Sequence, residues 1–183
     1  MLQGNIKNPN LNLFLIGMMG SWKTTIGRKL ATTLDMTFID TDDTIEEINE
    51  MKMADIFKEF GEKRFREMEK AFFIEKAKKS GQIFSTGGGI VLGEENREVL
   101  QNNGICFLLN ASSKTLSDRI HNTTKRPLLT CNNNLADRLQ NIWQDRSQFY
   151  KDCAHHVIMT DDLEPPQVLD EIIKILGISV ADY

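Results

Sequence analysis

The segment that most constrains this chain is a glycine-bearing run that ends its first apolar stretch. Leu11-Asn12-Leu13-Phe14-Leu15-Ile16 is short, apolar and stopped by glycine, which reads as a buried strand. Gly17-Met18-Met19-Gly20-Ser21-Trp22-Lys23-Thr24 follows, and Lys23 to Leu34 then reads as a helix. Strand, loop and helix start in that order suit the phosphate-loop pattern G-x-x-x-x-G-K-[ST]. In such a loop backbone N–H groups wrap phosphates, and the helix N-terminus adds partial positive charge. Lys23 would hold the β- and γ-phosphates, the Thr24 hydroxyl would ligate Mg²⁺, and Gly17 permits the sharp turn out of the strand. The expected nucleotide-binding set is Gly17, Met18, Met19, Gly20, Ser21, Trp22, Lys23, Thr24 and Thr25.

One position departs from the pattern. Trp22 stands where the second glycine belongs, at a point where the backbone approaches the phosphates and leaves little room for a Cβ. An indole there must swing out of the cradle or displace the loop. If the position needs φ > 0, it also carries strain of about 1–3 kcal/mol.

The rest of the chain alternates short apolar runs with longer amphipathic ones. Met36–Ile39, Gln82–Ser85, Ile105–Leu109 and His155–Met159 read as further strands. Thr44–Ser80, Asn96–Asn102, Ser112–Ile120, Leu135–Tyr150 and Pro166–Leu176 read as helices. The first of these is broken near Met51–Ala54 and at Gly61, and Ser112 or Ser113 caps the third. Strands separated by helices imply βαβ units: an α/β fold of three layers, with a five-stranded parallel sheet between helices, in one domain over residues 1–183. Such sheets bind ligands at the carboxyl ends of their strands. Polar insertions over about 40–79 and 121–134 are expected to form a substrate-binding flap and a lid.

With 183 residues, a net charge of −4 and no basic run, the chain is not expected to have nucleic acid or an anionic membrane as its main partner. No apolar stretch approaches the length of a membrane span, and residues 1–9 lack the apolar core of a secretory leader. Cys106, Cys131 and Cys153 are odd in number and widely spaced, which favours reduced thiols in a cytoplasmic protein over a disulfide framework or a zinc site. A monomer is expected.

Phe38-Ile39-Asp40-Thr41-Asp42-Asp43 leaves the second strand. In extended chain Asp40 and Asp42 point the same way. One such carboxylate can hold the water shell of Mg²⁺, and the other can take the proton of an attacking hydroxyl. Capping of the next helix by Asp42 or Asp43 is the plainer alternative, and the local pattern favours function over it. Gly87-Gly88-Gly89, after the third strand, costs much chain entropy, so something must need the bare backbone. Arg66, with Glu69 three residues on, and Arg146 read on composition alone as charges on solvated helix faces. Phe57 and Phe65 suit core packing as well as a substrate wall, and Trp143 and Phe149 suit helix packing. His155 and His156 are adjacent on a strand and cannot chelate jointly.

In combination these segments resemble the shikimate kinases, within the nucleoside-monophosphate-kinase-like P-loop group. The resemblance rests on G-M-M-G-S-x-K-T-T at Gly17, F-I-D-T-D at Phe38, F-R-x-x-E at Phe65, T-G-G-G at Thr86, R-P-L-L at Arg126 and R-x-x-x-Y at Arg146, in that order from residue 11 to about 160. It implies a P-loop kinase fold, ATP and Mg²⁺, and phosphorylation of the 3-hydroxyl of shikimate on the way to chorismate and the aromatic amino acids. It implies that Thr24 and Asp40 serve the metal, Asp40 through water, and that Asp42 contacts ring hydroxyls and acts as base. Phe65, Arg66, Gly87, Gly88, Gly89 and Arg146 would form the shikimate site, with Arg66 and Arg146 clamping the carboxylate. Arg126 would be a lid arginine that closes on the transferring phosphate, and Arg119 would lie beside adenine. The catalytic groups would be Lys23, Asp42 and Arg126. Trp22 replaces the family's glycine, which bears on nucleotide affinity and turnover but not on the fold. Two other readings stay open: another small-molecule kinase such as a gluconate kinase, and a non-catalytic shikimate-binding or regulatory relative, which Trp22 motivates.

Overall fold

In the computed structural model of the chain, residues 11–120 and 134–178 are described. Strand β1 (Asn12–Ile16) is buried at every position. Its side chains alternate between two cores: Phe14 and Ile16 join Phe73, Phe84 and Leu108, while Leu13 and Leu15 join Ile26, Ile83, Phe107 and Ile172. A strand covered on both faces needs apolar residues at consecutive positions, which is why this one lacks a polar side. Around it lie β2 (Thr37–Asp40), β3 (Gln82–Ser85), β4 (Gly104–Asn110) and β5 (His156–Met159), all parallel, in the order β2-β3-β1-β4-β5.

Helices α1 (Lys23–Leu34) and α7 (Pro165–Leu176) pack on one face of the sheet. Helices α3 (Met53–Ala77), α4 (Glu94–Asn102), α5 (Ser113–Arg119) and α6 (Leu135–Cys153) contribute to the other. A small third core joins α2 (Thr41–Asn49) to α3 through Ile45, Ile56 and Phe65. The expected three-layer α/β architecture with a five-stranded parallel sheet is therefore present.

Departures from the sequence reading concentrate at helix ends. Helix α2 begins at Thr41 rather than Thr44, because Asp40 is its N-cap: the Asp40 carboxylate accepts from the N–H groups of Asp42 (3.2 Å) and Asp43 (3.3 Å). Asp42 and Asp43, the expected caps, occupy its first turn instead. Helix α4 begins at Glu94, two residues before the expected start, with Glu94 and Glu95 favourably placed in the first turn. Ser112 caps α5 by accepting from the Thr115 N–H. The expected breaks are found between α2 and α3 and, inside α3, at a kink on Gly61 (φ 75°, ψ 168°). Of the expected lid, residues 121–133 lie outside the described residues, and Asn134 caps α6. Cys106 and Cys153 are buried free thiols, while Cys131 lies outside the described residues. No helix among the described residues is long and apolar enough to cross a membrane.

Phe73 is fully buried and meets Phe14 and Phe84 edge-on, with ring centroids 5.6 and 5.7 Å apart. Phe73→Ala is expected to cost about 3–5 kcal/mol, read as a lower urea midpoint at unchanged slope, whereas a loss under about 1 kcal/mol would count against this cluster as the anchor of α3.

Candidate active site

Strand β1 stops at Ile16, and the chain turns on Gly17 (φ 142°), where an added Cβ would meet the Leu109 carbonyl oxygen at 2.3 Å. Only glycine fits there. The loop then closes on itself. The Ser21 hydroxyl donates to the Met18 carbonyl (2.7 Å), and Lys23 Nζ donates to the carbonyls of Gly17 and Met18, both at 2.9 Å. Helix α1 opens with no acidic residue in its first turn and no side-chain cap, whereas α2 has both. No capping side chain or first-turn acid therefore competes with an anion at this helix end, which carries roughly half a positive charge.

Trp22 is the N-cap of α1 and adopts the left-handed conformation (φ 67°, ψ 16°). The glycine-like backbone is kept although the residue is not glycine, at a typical cost of about 1–3 kcal/mol. The indole has left the loop and lies on the guanidinium of Arg119, whose central carbon is 3.3 Å from the ring centroid. Arg119 is held by hydrogen bonds to Thr160, at the hydroxyl (2.9 Å) and the carbonyl.

The Thr24 hydroxyl donates to Asp40 Oδ2 (2.8 Å) and lies 3.2 Å from the Ser85 hydroxyl. A hydroxyl and a carboxylate beside a phosphate loop suit Mg²⁺, which takes few protein oxygens and keeps several waters. Among the described residues, no group of three or more His, Cys, Asp or Glu could hold a metal by itself.

Asp42 does not follow Asp40 along extended chain, as the spacing had suggested, because α2 starts between them. Its carboxylate nevertheless turns to the same side and meets Glu69 against Gly87: a Cβ on Gly87 would lie 2.5 Å from Asp42 Oδ1 and 2.8 Å from Glu69 Oε1. Burial, reinforced by the charges of Glu69 and Asp40 and opposed by Lys23 and Arg66, pushes the Asp42 carboxyl up to about 7. Burial also pushes up Glu69, which is 1% exposed.

Arg66 donates to Glu69 Oε2 (2.8 Å) and to Glu62 (3.2 Å), and its guanidinium fills the space a Cβ on Gly89 would need. Among the described residues, Arg66 Nε and Glu69 Oε1 are buried with no hydrogen-bond partner. Each such group costs roughly 1–3 kcal/mol unless a polar partner arrives, so the pair points to a polar ligand. Arg146 donates to the Gly88 carbonyl (3.0 Å), which also accepts from the Tyr150 hydroxyl.

These groups surround one cavity of about 340 Å³. Of the expected site residues, Met19, Gly20, Trp22, Lys23, Thr24, Thr25, Asp40, Asp42, Phe65, Arg66, Gly87, Gly88, Gly89, Arg119 and Arg146 all border it. Gly17, Met18 and Ser21 shape the loop from behind, and the Met18 side chain belongs to the core. Arg126 lies outside the described residues.

A sequence profile described as shikimate kinase matches residues 19–177. A shikimate kinase of Thermodesulfovibrio yellowstonii is 39% identical over 163 residues, covering 89% of this chain and 93% of the relative. The chain belongs to the shikimate kinase family. Two solved structures from that family are closely similar to it. The shikimate kinase from Acinetobacter baumannii, in complex with shikimate, gives a TM-score of 0.87 at 30% identity, covering 91% of this chain and 93% of the other. The shikimate kinase from Bacteroides thetaiotaomicron gives 0.84 at 30% identity, covering 92% and 99%.

The structure adds residues to the cavity of this shikimate kinase family member that the sequence reading did not assign to it. Glu69, read only as a partner for Arg66, borders the cavity directly, and so do Met53, Ser85 and Thr86. Tyr150 stands behind it as a support for Gly88. For Glu69, Thr86 and Tyr150 the available signal was their position inside F-R-x-x-E, T-G-G-G and R-x-x-x-Y, whereas Met53 and Ser85 lie outside these motifs.

Raised from its ordinary 3.8, the Asp42 carboxyl favours the folded chain when protonated, so its contribution to stability is present below about pH 4 and is lost as the pH rises through about 7. Urea midpoints from pH 4 to 8 are expected to fall for the unaltered chain relative to Asp42→Asn. A difference that stays flat across that range would contradict the raised carboxyl.

Proposed function

We propose that this chain transfers the γ-phosphate of ATP to the 3-hydroxyl of shikimate, in the route to the aromatic amino acids. One observation carries the reading: a phosphate loop with its lysine and a carboxyl held near neutrality face a single cavity, together with two arginines. Thr24 and Asp40 would hold Mg²⁺, which would supply charge neutralisation at the phosphates. Lys23 exchanges the loop carbonyls of Gly17 and Met18 for phosphate oxygens. The planar forks of Arg66 and Arg146 bind the shikimate carboxylate, with Glu69 orienting Arg66. Phe65 and Gly87 to Gly89 give the ring a flat, close-fitting wall.

The substrate oxygen bonds to the γ-phosphorus while the bond from that phosphorus to the oxygen bridging to ADP breaks. The hydroxyl proton passes to Asp42. Arg126 closes from the 121–134 lid on the transferring phosphate, and residues 40–79 act as the substrate flap. Positioning and charge neutralisation supply most of the rate. We place the chain in the cytoplasm as a monomer with reduced thiols. The free, buried Cys106 and Cys153 support that placement, and size-exclusion chromatography tests the monomer.

Coupled ADP detection is expected to show turnover that needs both ATP and shikimate, and none with gluconate. Absence of shikimate-dependent turnover in both the unaltered chain and Trp22→Gly overturns the reading. Asp42→Asn is expected to lower kcat by about 10²–10⁴-fold, and kcat/KM of the unaltered chain to rise with pH and level off above about 7, as a base with that carboxyl value requires. Arg66→Lys, which loses the fork but keeps the charge, is expected to raise KM for shikimate by about tenfold with KM for ATP unchanged.

A further inference from the structure

Trp22 and Arg119 form a wall shared by two cavities. One is the catalytic cavity with Lys23 and Asp42, and the other is a side cavity bordered by Thr115, Leu163 and Glu164. The guanidinium carbon lies 3.3 Å from the indole centroid, which is the thickness of one stacked contact. No second ring fits between them. The arginine is the fixed half of the pair: it donates twice to Thr160, whose hydroxyl donates in turn to the Asn110 carbonyl (3.1 Å) at the end of β4. The indole is the half held by packing alone: among the described residues no hydrogen bond from its ring nitrogen is found, and it rests partly buried against the apolar core beneath α1 and α7.

A flat face on a pinned guanidinium, one residue's reach from a phosphate loop, is where the base of a nucleotide would stack. In this chain that face is already covered by the chain's own ring. We propose that Trp22 is a built-in competitor of the nucleotide base: the indole occupies the stacking face of Arg119 in the free chain, and a bound purine must displace it. This rests on the ATP-dependent reading above. The competition acts on the base alone, because the loop that holds the phosphates keeps a glycine-like backbone with the ring present.

The test compares MgADP with inorganic tripolyphosphate, which fills the phosphate loop but has no base, by calorimetry on the full chain. Trp22→Ala removes the ring but keeps a non-glycine backbone, and Trp22→Gly removes both. Each variant is expected to bind MgADP about tenfold more tightly than the unaltered chain, the factor that a cation–π contact of ~1.4 kcal/mol supplies. Tripolyphosphate affinity is expected to change less than about twofold, since its binding is confined to the phosphate loop. In the unaltered chain, MgADP but not tripolyphosphate is expected to shift tryptophan emission towards longer wavelength, a change absent from Trp22→Gly. A gain by Trp22→Gly alone, or equal gains for both ligands, traces the effect to the loop backbone and overturns the proposal. Unaltered MgADP affinity in both variants also overturns it. If no form binds MgADP while tripolyphosphate still binds, the ATP-dependent reading itself falls, and the proposal with it.

Discussion

Strands β1 and β3 are parallel neighbours, and their register sets Leu15 opposite Ser85, so both strands stop at the same level. The chain leaving β1 at Gly17 and the chain leaving β3 at Thr86 therefore emerge side by side. Strand β2 pairs with the far side of β3 and sets Asp40 opposite Ser85, which brings the acidic segment to that same level. Thr24 ties the three ends together, with its hydroxyl bonded to Asp40 and within reach of Ser85. The proximity of phosphate loop, acids and glycine loop is thus a property of strand order, not of any loop residue, and a sheet with β1 and β3 apart would scatter the same motifs.

Within that frame the site is electrostatically expensive. Asp42 and Glu69 crowd against one glycine, and the arginine that balances Glu69 leaves one nitrogen and one carboxylate oxygen unsatisfied. Buried ion pairs of this kind contribute little to folding, because desolvation offsets much of their attraction. The stability of the chain resides instead in the two apolar cores on either side of the sheet. The polar groups at the strand ends are held open by that scaffold, and their unmet hydrogen bonds become affinity once a polar ligand enters.

The fold was legible because its signals are local. An apolar run of strand length stopped by glycine can form a strand covered on both faces, and the alternation with amphipathic stretches dictates parallel crossovers. The site was legible as motifs but less so as geometry. The spacing of Asp40 and Asp42 was read on extended chain, yet the carboxylate of Asp40 recruits the N–H groups of Asp42 and Asp43 and starts a helix between them. The glycine pattern raised a positive φ at Trp22 as a condition, which the structure meets, but the resting place of its indole depends on Arg119, far along the chain on α5. Glu69 and Tyr150 owe their roles to which backbone lies opposite them. That is a tertiary fact with no local trace beyond motif spacing.

The kink in α3 limits what the sequence can become. The rings of Phe57 and Phe65, on either side of Gly61, meet at 4.7 Å and both border the cavity. They do so only because the helix axis changes direction between them. At Gly61 the backbone holds φ 75° and ψ 168°, a region open in practice to glycine alone. Among the described residues, nothing lies within 4 Å of where a Cβ would project. Uncrowded positions ordinarily drift freely, but this one is restricted by chirality: a Cβ has room there, and L-residues lack the backbone to use it.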